Sequence, residues 1–184
     1  FTLWEPFDIY TDGERYRCGG HTFSSMMRTE LLAILQERCA EVGVEMVFES
    51  EIDDPTAVAE DSDLVLAADG LHSRTRSAYA DELGTRTEKG SARFSWFGTE
   101  QDFDTLKHIF VDHEDGLWCA HTYPGPTSTF IVDCDAETWE NSGVAGMSES
   151  EYLAYLEDVF AEYLEGHDLL SQQDQWRRFT LVEN

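Results

Sequence analysis

Two different hydrophobic periods run through this chain, and they exclude a single uniform architecture. Between residues 93 and 135 four short runs, RFSWFGT, KHIFVDHE, GLWCAHTYP and STFIVDCD, are separated by turn residues. Their apolar residues tend to alternate with polar ones, which suits strands with one face on a core and the other on solvent, so an antiparallel sheet is expected. Upstream, Met27, Leu31, Leu32, Leu35, Cys39 and Val42 recur at helical spacing. That pattern predicts a helix from about 26 to 42, capped by Ser24 or Ser25 and stopped by Gly43 in a left-handed conformation. VEMVF (44–48) and LVLAA (64–68) then read as strands joined by a polar loop through Pro55. Helix, strand, loop, strand is an α/β pattern.

The flanks complete this organisation. FDIYTDGERYRC (7–18) reads as a β-hairpin turning at Asp12-Gly13, and GGHTFSS as the Gly/Ser loop that follows it. The polar stretch DELGTRTEKGSA, after Tyr79, reads as a crossing between domains. Ser148 and Glu151 have capping-box spacing ahead of an amphipathic helix that Gly166 would stop, and WRRFTLVEN closes as a strand. The expected domains are a hairpin over 1–20 belonging with the downstream sheet, an α/β part over 21–79, and the antiparallel sheet with a covering helix over 80–184.

Charge narrows the partners. Twelve Lys and Arg stand against 38 Asp and Glu, a net charge of −26. Such a surface repels nucleic acid and anionic membranes. An acid-rich chain with only two lysines, Lys89 and Lys107, suits high salt, where screening relaxes self-repulsion. A halophilic origin and an ordinary acidic cytoplasmic protein are both compatible with it. No run is long and apolar enough for a membrane span. The four cysteines are scattered without C-x-x-C spacing, and the six histidines show no convergent ligand spacing, so no metal site is expected.

The segment DLVLAADGLHSRTR (63–76) concentrates the chemistry. A buried-type strand ending in Asp-Gly delivers a carboxylate and a bare backbone to the carboxyl edge of an α/β sheet, where ligands bind. Asp69 can accept from sugar hydroxyls, and Gly70 lets a bulky group approach the backbone. Ser73 can cap a short helix whose amides favour phosphate, and Arg74 and Arg76 can pair with a pyrophosphate. An Asp-Gly turn with a capping serine and two solvated arginines explains the same residues without any ligand.

Asp69, Gly70, Ser73 and Arg76 form a D-G-x-x-S-x-x-R pattern that resembles the second fingerprint of FAD-dependent aromatic hydroxylases of the p-hydroxybenzoate hydroxylase fold. MRTELLAILQERCAEVGVEMVF is similar to the helix that precedes it in that family. FSWFGT, AHTY, STFIVD and ETWENSG resemble the salicylyl-CoA 5-hydroxylase and 2-aminobenzoyl-CoA monooxygenase branch.

The resemblance implies a partial FAD-binding, Rossmann-like layer joined to an antiparallel substrate domain. It implies an NAD(P)H- and FAD-dependent monooxygenase that hydroxylates an aromatic acyl-CoA through a flavin C4a-hydroperoxide. Arg28, Asp69, Gly70, Ser73 and Arg76 would contact the cofactor; no catalytic residue is assigned. The family's G-x-G-x-x-G fingerprint and its later Gly-Asp motif do not occur in the sequence, so the chain is expected to be the central part of a longer enzyme and inactive alone. A homo-oligomer is left open. A flavoprotein acting on a non-CoA aromatic or an isoprenoid, and a non-catalytic binding domain, are the alternatives.

Overall fold

The computed structural model describes residues 1–60, 62–171 and 176–183 of a mixed α/β chain. In chain order its elements are β1 (Thr2–Trp4), β2 (Phe7–Thr11), β3 (Glu14–Cys18), β4 (Phe23–Ser25), α1 (Arg28–Glu41), α2 (Pro55–Glu60), α3 (Arg74–Ala78) and α4 (Ala80–Leu83). There follow β5 (Arg86–Thr99), β6 (Leu106–His113), β7 (Gly116–Tyr123), β8 (Ser128–Cys134), α5 (Ala136–Ser142), a 3-10 turn at Val144–Gly146, α6 (Glu149–Val159), α7 (Ala161–Leu164), β9 (Leu169–Ser171) and β10 (Arg177–Glu183). The chain divides into two compact units, Phe1–Leu31 with Ser91–Phe179, and Leu32–Gly90 with Thr180–Asn184.

The first unit holds β8-β7-β6-β2-β3 and most of β5 from a sheet of order β10-β5-β8-β7-β6-β2-β3, with β9 also pairing β5. The four alternating runs become β5 to β8, and each pair β5–β8, β8–β7 and β7–β6 is antiparallel. The β2–β3 hairpin turns where Asp-Gly was expected, with Asp12 and Gly13 both at positive φ, as a tight two-residue turn requires. Beside it β2 runs parallel to β6, with Ile9 opposite His108. Parallel neighbours need a long crossover, and nothing in the alternation of either strand signals one.

Strand alternation separates two faces of this sheet. One face sends Phe97, Ile109, Trp118, Ala120, Phe130 and Val132 into a core closed by Leu156, Phe160 and Leu164. The Trp118 indole N–H donates to the Tyr155 hydroxyl at 3.1 Å, and that hydroxyl donates to Asp115 at 2.9 Å, so the buried ring leaves no polar atom unpaired. Ser148 and Glu151 form the expected capping box. The helix that follows breaks at Phe160 into α6 and α7, and its end is set by Glu165 and Gly166, both at positive φ.

Gly116 opens β7 at φ 131, and a β-carbon there would collide with the Thr138 hydroxyl on α5. Gly116→Ala is therefore expected to cost about 1–2 kcal/mol, read as a lower urea midpoint at unchanged slope. An unshifted midpoint would show that α5 gives way freely.

Several boundaries differ from the expectation. GGHTFSS is not all loop, because its last residues form β4 against β1. Ser25 does not cap α1; its hydroxyl donates to the Pro124 carbonyl at 3.0 Å. The polar stretch after Tyr79 folds as α4 and the start of β5, since Gly84 in the left-handed region ends the helix and releases an extended run.

The second unit contains most of α1, with α2, α3 and α4. Helix α1 ends as expected at Gly43, where the Val44 amide donates to the Cys39 carbonyl and the Gly43 amide to that of Ala40. Strands do not form at 44–48 or 64–68. A strand exists only by pairing, and among the described residues neither segment has a ladder partner. Val47, Phe48, Leu64 and Leu66 are exposed, Leu66 at 83%. Among the described residues of this unit no hydrophobic side chain is buried. No helix among the described residues is long and apolar enough to cross a membrane.

Candidate functional site

The Asp-Gly segment folds as a self-bonded turn. Gly70 sits at φ 79, with open space where a β-carbon would project. Ser73 is buried and is the N-cap of α3, accepting from the Arg76 amide at 2.9 Å. Its hydroxyl donates to Asp69 Oδ1 at 2.6 Å. The other oxygen, Oδ2, accepts from the Thr75 amide and hydroxyl, both at 3.1 Å.

These donors favour the charged carboxylate and hold the Asp69 pKa at about 2 against an ordinary 3.8, the Ser73 hydroxyl contributing most and the Thr75 amide next. Because the folded pKa is depressed, the contribution of this turn to stability is present above the unfolded pKa and is lost as pH falls through about 2. A carbon-detected titration of the Asp69 carboxyl should show its midpoint near 2, rising toward 3.8 in Ser73→Ala. A wild-type midpoint already near 3.8 would mean the turn is not closed in solution.

Asp69, Gly70, Ser73 and Arg76 are thus brought into one turn, but not all with open hands. Arg76 folds back, its Nη1 and Nη2 donating to the carbonyls of Leu71 and Gly70 at 2.8 and 2.9 Å. Arg74 pairs with Glu51 at 2.5 Å and Asp53 at 2.9 Å, tying the loop before α2 to α3. Two of the α3 amides expected to meet phosphate, those of Thr75 and Arg76, are consumed by Asp69 and Ser73. The turn therefore offers one unfilled carboxylate lone pair and a bare glycine, and no ready grip for a pyrophosphate. A groove of about 600 Å³ beside it is lined by Ile52, Val58, Val65, Leu66, Asp69 and His72 among others.

Arg28 opens α1 in the other unit. It is exposed, and no described residue pairs with its guanidinium.

The sheet face opposite the core carries a cluster that residue spacing along the chain did not reveal. His108 and His121 are cross-strand partners on β6 and β7, with their Nδ1 atoms 2.7 Å apart. His121 Nε2 lies 2.8 Å from Asp133 Oδ2 on β8. The signal was present in the β6–β7 hairpin, because a turn that pairs His113 with Gly116 also sets 108 opposite 121. Elsewhere, His113, Glu114 and Asp115 bring metal-ligand-type atoms within 4.8 Å of one another, and Asp115 there already accepts from Tyr155.

No protein-family model matches the sequence. Over 186 residues, 96% of the chain, it is 39% identical to a salicyloyl-CoA 5-hydroxylase of Streptomyces. It is 33% identical, over 85% of its length, to a protodeoxyviolaceinate monooxygenase of Chromobacterium violaceum. Along its whole length it is 32% identical to a 3-hydroxy-4-methyl-anthranilyl-[aryl-carrier protein] 5-monooxygenase of Streptosporangium sibiricum. The chain is thus similar to these monooxygenases over most of its own length. It spans 36%, 43% and 48% of their respective lengths. The similarity to the first and third relatives runs through both compact units, so it covers the Asp-Gly turn and the antiparallel sheet alike.

Proposed function

We propose that this chain is the middle portion of an FAD- and NAD(P)H-dependent monooxygenase that hydroxylates an aromatic ring carried as an acyl thioester. The carrying observation is the 39% identity, sustained over 96% of the chain, to a hydroxylase whose name specifies such a substrate. Two relatives' names describe rings that bear a hydroxyl, salicyloyl and 3-hydroxy-4-methyl-anthranilyl, so the substrate class is a hydroxyaryl thioester.

The turn at 69–76 supports a flavin dinucleotide in part. Asp69, held ionised with a lone pair to spare, suits a ribityl or ribose hydroxyl, and Gly70 admits close approach of the cofactor to the backbone. Ser73 and Arg76 would act by fixing that carboxylate and the turn's carbonyls. The pyrophosphate would need donors from outside the turn; Arg28, which opens α1 in the other unit, is assigned to the cofactor by the resemblance alone. When bound, FAD reduced by NAD(P)H supplies the activated oxygen; the protein's residues bind, orient and exclude water.

The cations bear on what carries the ring. Arg15 and Arg17 approach Asp8 at 2.7 and 3.8 Å, and Lys107 approaches Asp104 at 3.5 Å, so these charges are not available to the phosphates of CoA without breaking a pair. This favours recognition through the aryl thioester end. The test is turnover by the full-length enzyme. Flavin absorbance, thioester-dependent NAD(P)H and oxygen consumption, and a product heavier by one oxygen atom are the expected result. Absence of bound flavin, or stimulation by none of the aryl thioesters or free aryl acids, would overturn the proposal.

A further inference from the structure

We propose that His108 and His121 form a two-nitrogen site for a tetragonal transition-metal ion of the Cu(II) or Ni(II) class, braced from behind by Asp133.

Spacing along the chain predicts no metal site, because 108 and 121 meet only through the β6–β7 register. There the two Nδ1 atoms stand 2.7 Å apart, with the ring planes at 90°. An ionised Asp133 only accepts, so His121 Nε2 carries the proton in its 2.8 Å contact with Oδ2. The Nδ1 of a neutral His121 therefore presents a lone pair toward His108. A neutral His108 can answer it in two ways. Protonated at Nδ1, it donates, and the pair is a hydrogen bond. Protonated at Nε2, it turns a second lone pair toward the first, an arrangement that repels unless a cation sits between them. The change from one to the other moves the His108 proton from Nδ1 to Nε2 through water, so the neutral pair takes up the ion with no net loss of a proton.

The surroundings are those of a ligating pair. A histidine bound to a metal donates its other ring N–H to a carboxylate or carbonyl, which fixes the ring and strengthens the free nitrogen as a donor. Asp133 gives His121 that partner. Phe7 packs edge-on to His108 at 5.8 Å. Burial and the neighbouring His121 lower the His108 pKa against the opposing pull of Asp133, which keeps the ring in the neutral form a ligand needs. The His121 side chain is 36% exposed, so an ion reaches the pair from solvent.

Distance selects the ion. With metal–nitrogen bonds of about 2.0–2.1 Å, a 90° angle at the ion needs the nitrogens about 2.9 Å apart, and a tetrahedral angle about 3.3 Å. From 2.7 Å the pair opens by about 0.2 Å for a tetragonal ion and by about 0.6 Å for a tetrahedral one. Among the described residues no third histidine, cysteine or carboxylate donor lies within 4.8 Å of both nitrogens, so water fills the remaining positions. An imidazole pair with tetragonal geometry suits Cu(II) first, then Ni(II), with Zn(II) weaker.

The experiment is a titration of the full-length holoenzyme with copper, nickel and zinc chlorides alone, the copper form being read by electron paramagnetic resonance. One Cu(II) per chain with nitrogen couplings from two imidazoles is expected, with Cu(II) held tightest and Zn(II) weakest. His108→Gln and His121→Gln should each abolish the two-nitrogen spectrum and weaken Cu(II) binding at least about tenfold. Asp133→Asn should weaken it about tenfold while keeping both nitrogens. His167→Gln, at an exposed histidine outside the β6–β7 pair, should change nothing. The wild-type spectrum does not depend on any variant folding. A wild-type spectrum with oxygen ligands only, which marks adventitious binding to surface carboxylates, overturns the site. So does Zn(II) bound as tightly as Cu(II), or a two-nitrogen spectrum that survives in His108→Gln. None of these readouts involves an aryl thioester, so the result is separate from the proposed activity.

Discussion

Amide hydrogen exchange on the 184-residue chain is expected to split it sharply, with most amides of 32–90 exchanging at least about a thousandfold faster than those of β7 and β8. Trp118, Ala120, Phe130 and Val132 are fully buried, so opening these strands requires loss of the sheet core. For a domain of ordinary stability that opening costs at least about 5 kcal/mol, which sets the protection of the slowest amides. The second unit has nothing comparable. Leu32, Leu35, Val47, Phe48, Leu64 and Leu66 are all exposed, and none of its described hydrophobic side chains is buried. Helix α1, at 14 residues, is near the length at which an isolated helix is marginal in water. Exchange of the same segment in the full-length enzyme should slow by a similar factor, because we assign the cover of this apolar surface to parts of the longer protein. Equal protection of 32–90 and the sheet in the short chain would refute the reading of these residues as an uncovered face.

The same contrast explains what could be read from the sequence. Alternation is a local property, so the runs that became β5 to β8 were legible in outline, as were the Asp12-Gly13 turn and the Ser148–Glu151 box. Composition does not report pairing. VEMVF and LVLAA have strand character without a strand, because pairing depends on a neighbour that the segment itself does not encode. The parallel β2–β6 pair escaped notice for the related reason that its partners are about a hundred residues apart. At the candidate site the residue types were legible and their engagements were not. Arg74 and Arg76 look alike in the sequence, yet one is held by two acids and the other by two carbonyls. In an acid-rich chain an arginine finds a carboxylate nearby more readily than it waits for a ligand. The His108–His121 pair required the hairpin register, which fixes opposition two residues at a time from the turn outward.

Asp69→Ala in the full-length enzyme is expected to weaken FAD binding about 10- to 100-fold, the range of one hydrogen bond to a charged group. The argument is geometric. Ser73 and Thr75 supply three bonds to the two carboxylate oxygens and leave one lone pair on Oδ1, so a single further donor can be accommodated. Ser73→Ala should weaken binding by a smaller factor, because it frees the carboxylate to rotate without removing it. Arg28→Ala should lower affinity about tenfold, because its exposed guanidinium has no partner among the described residues and is open to a cofactor phosphate. Arg74→Ala should change affinity by less than about threefold, since that side chain is bound to Glu51 and Asp53 and only braces the turn. Flavin fluorescence titration after gel filtration measures all four. Equal losses in Arg74→Ala and Asp69→Ala would mean that the ion pairs of Arg74 open to receive the cofactor, and that the turn as it stands is not the binding form.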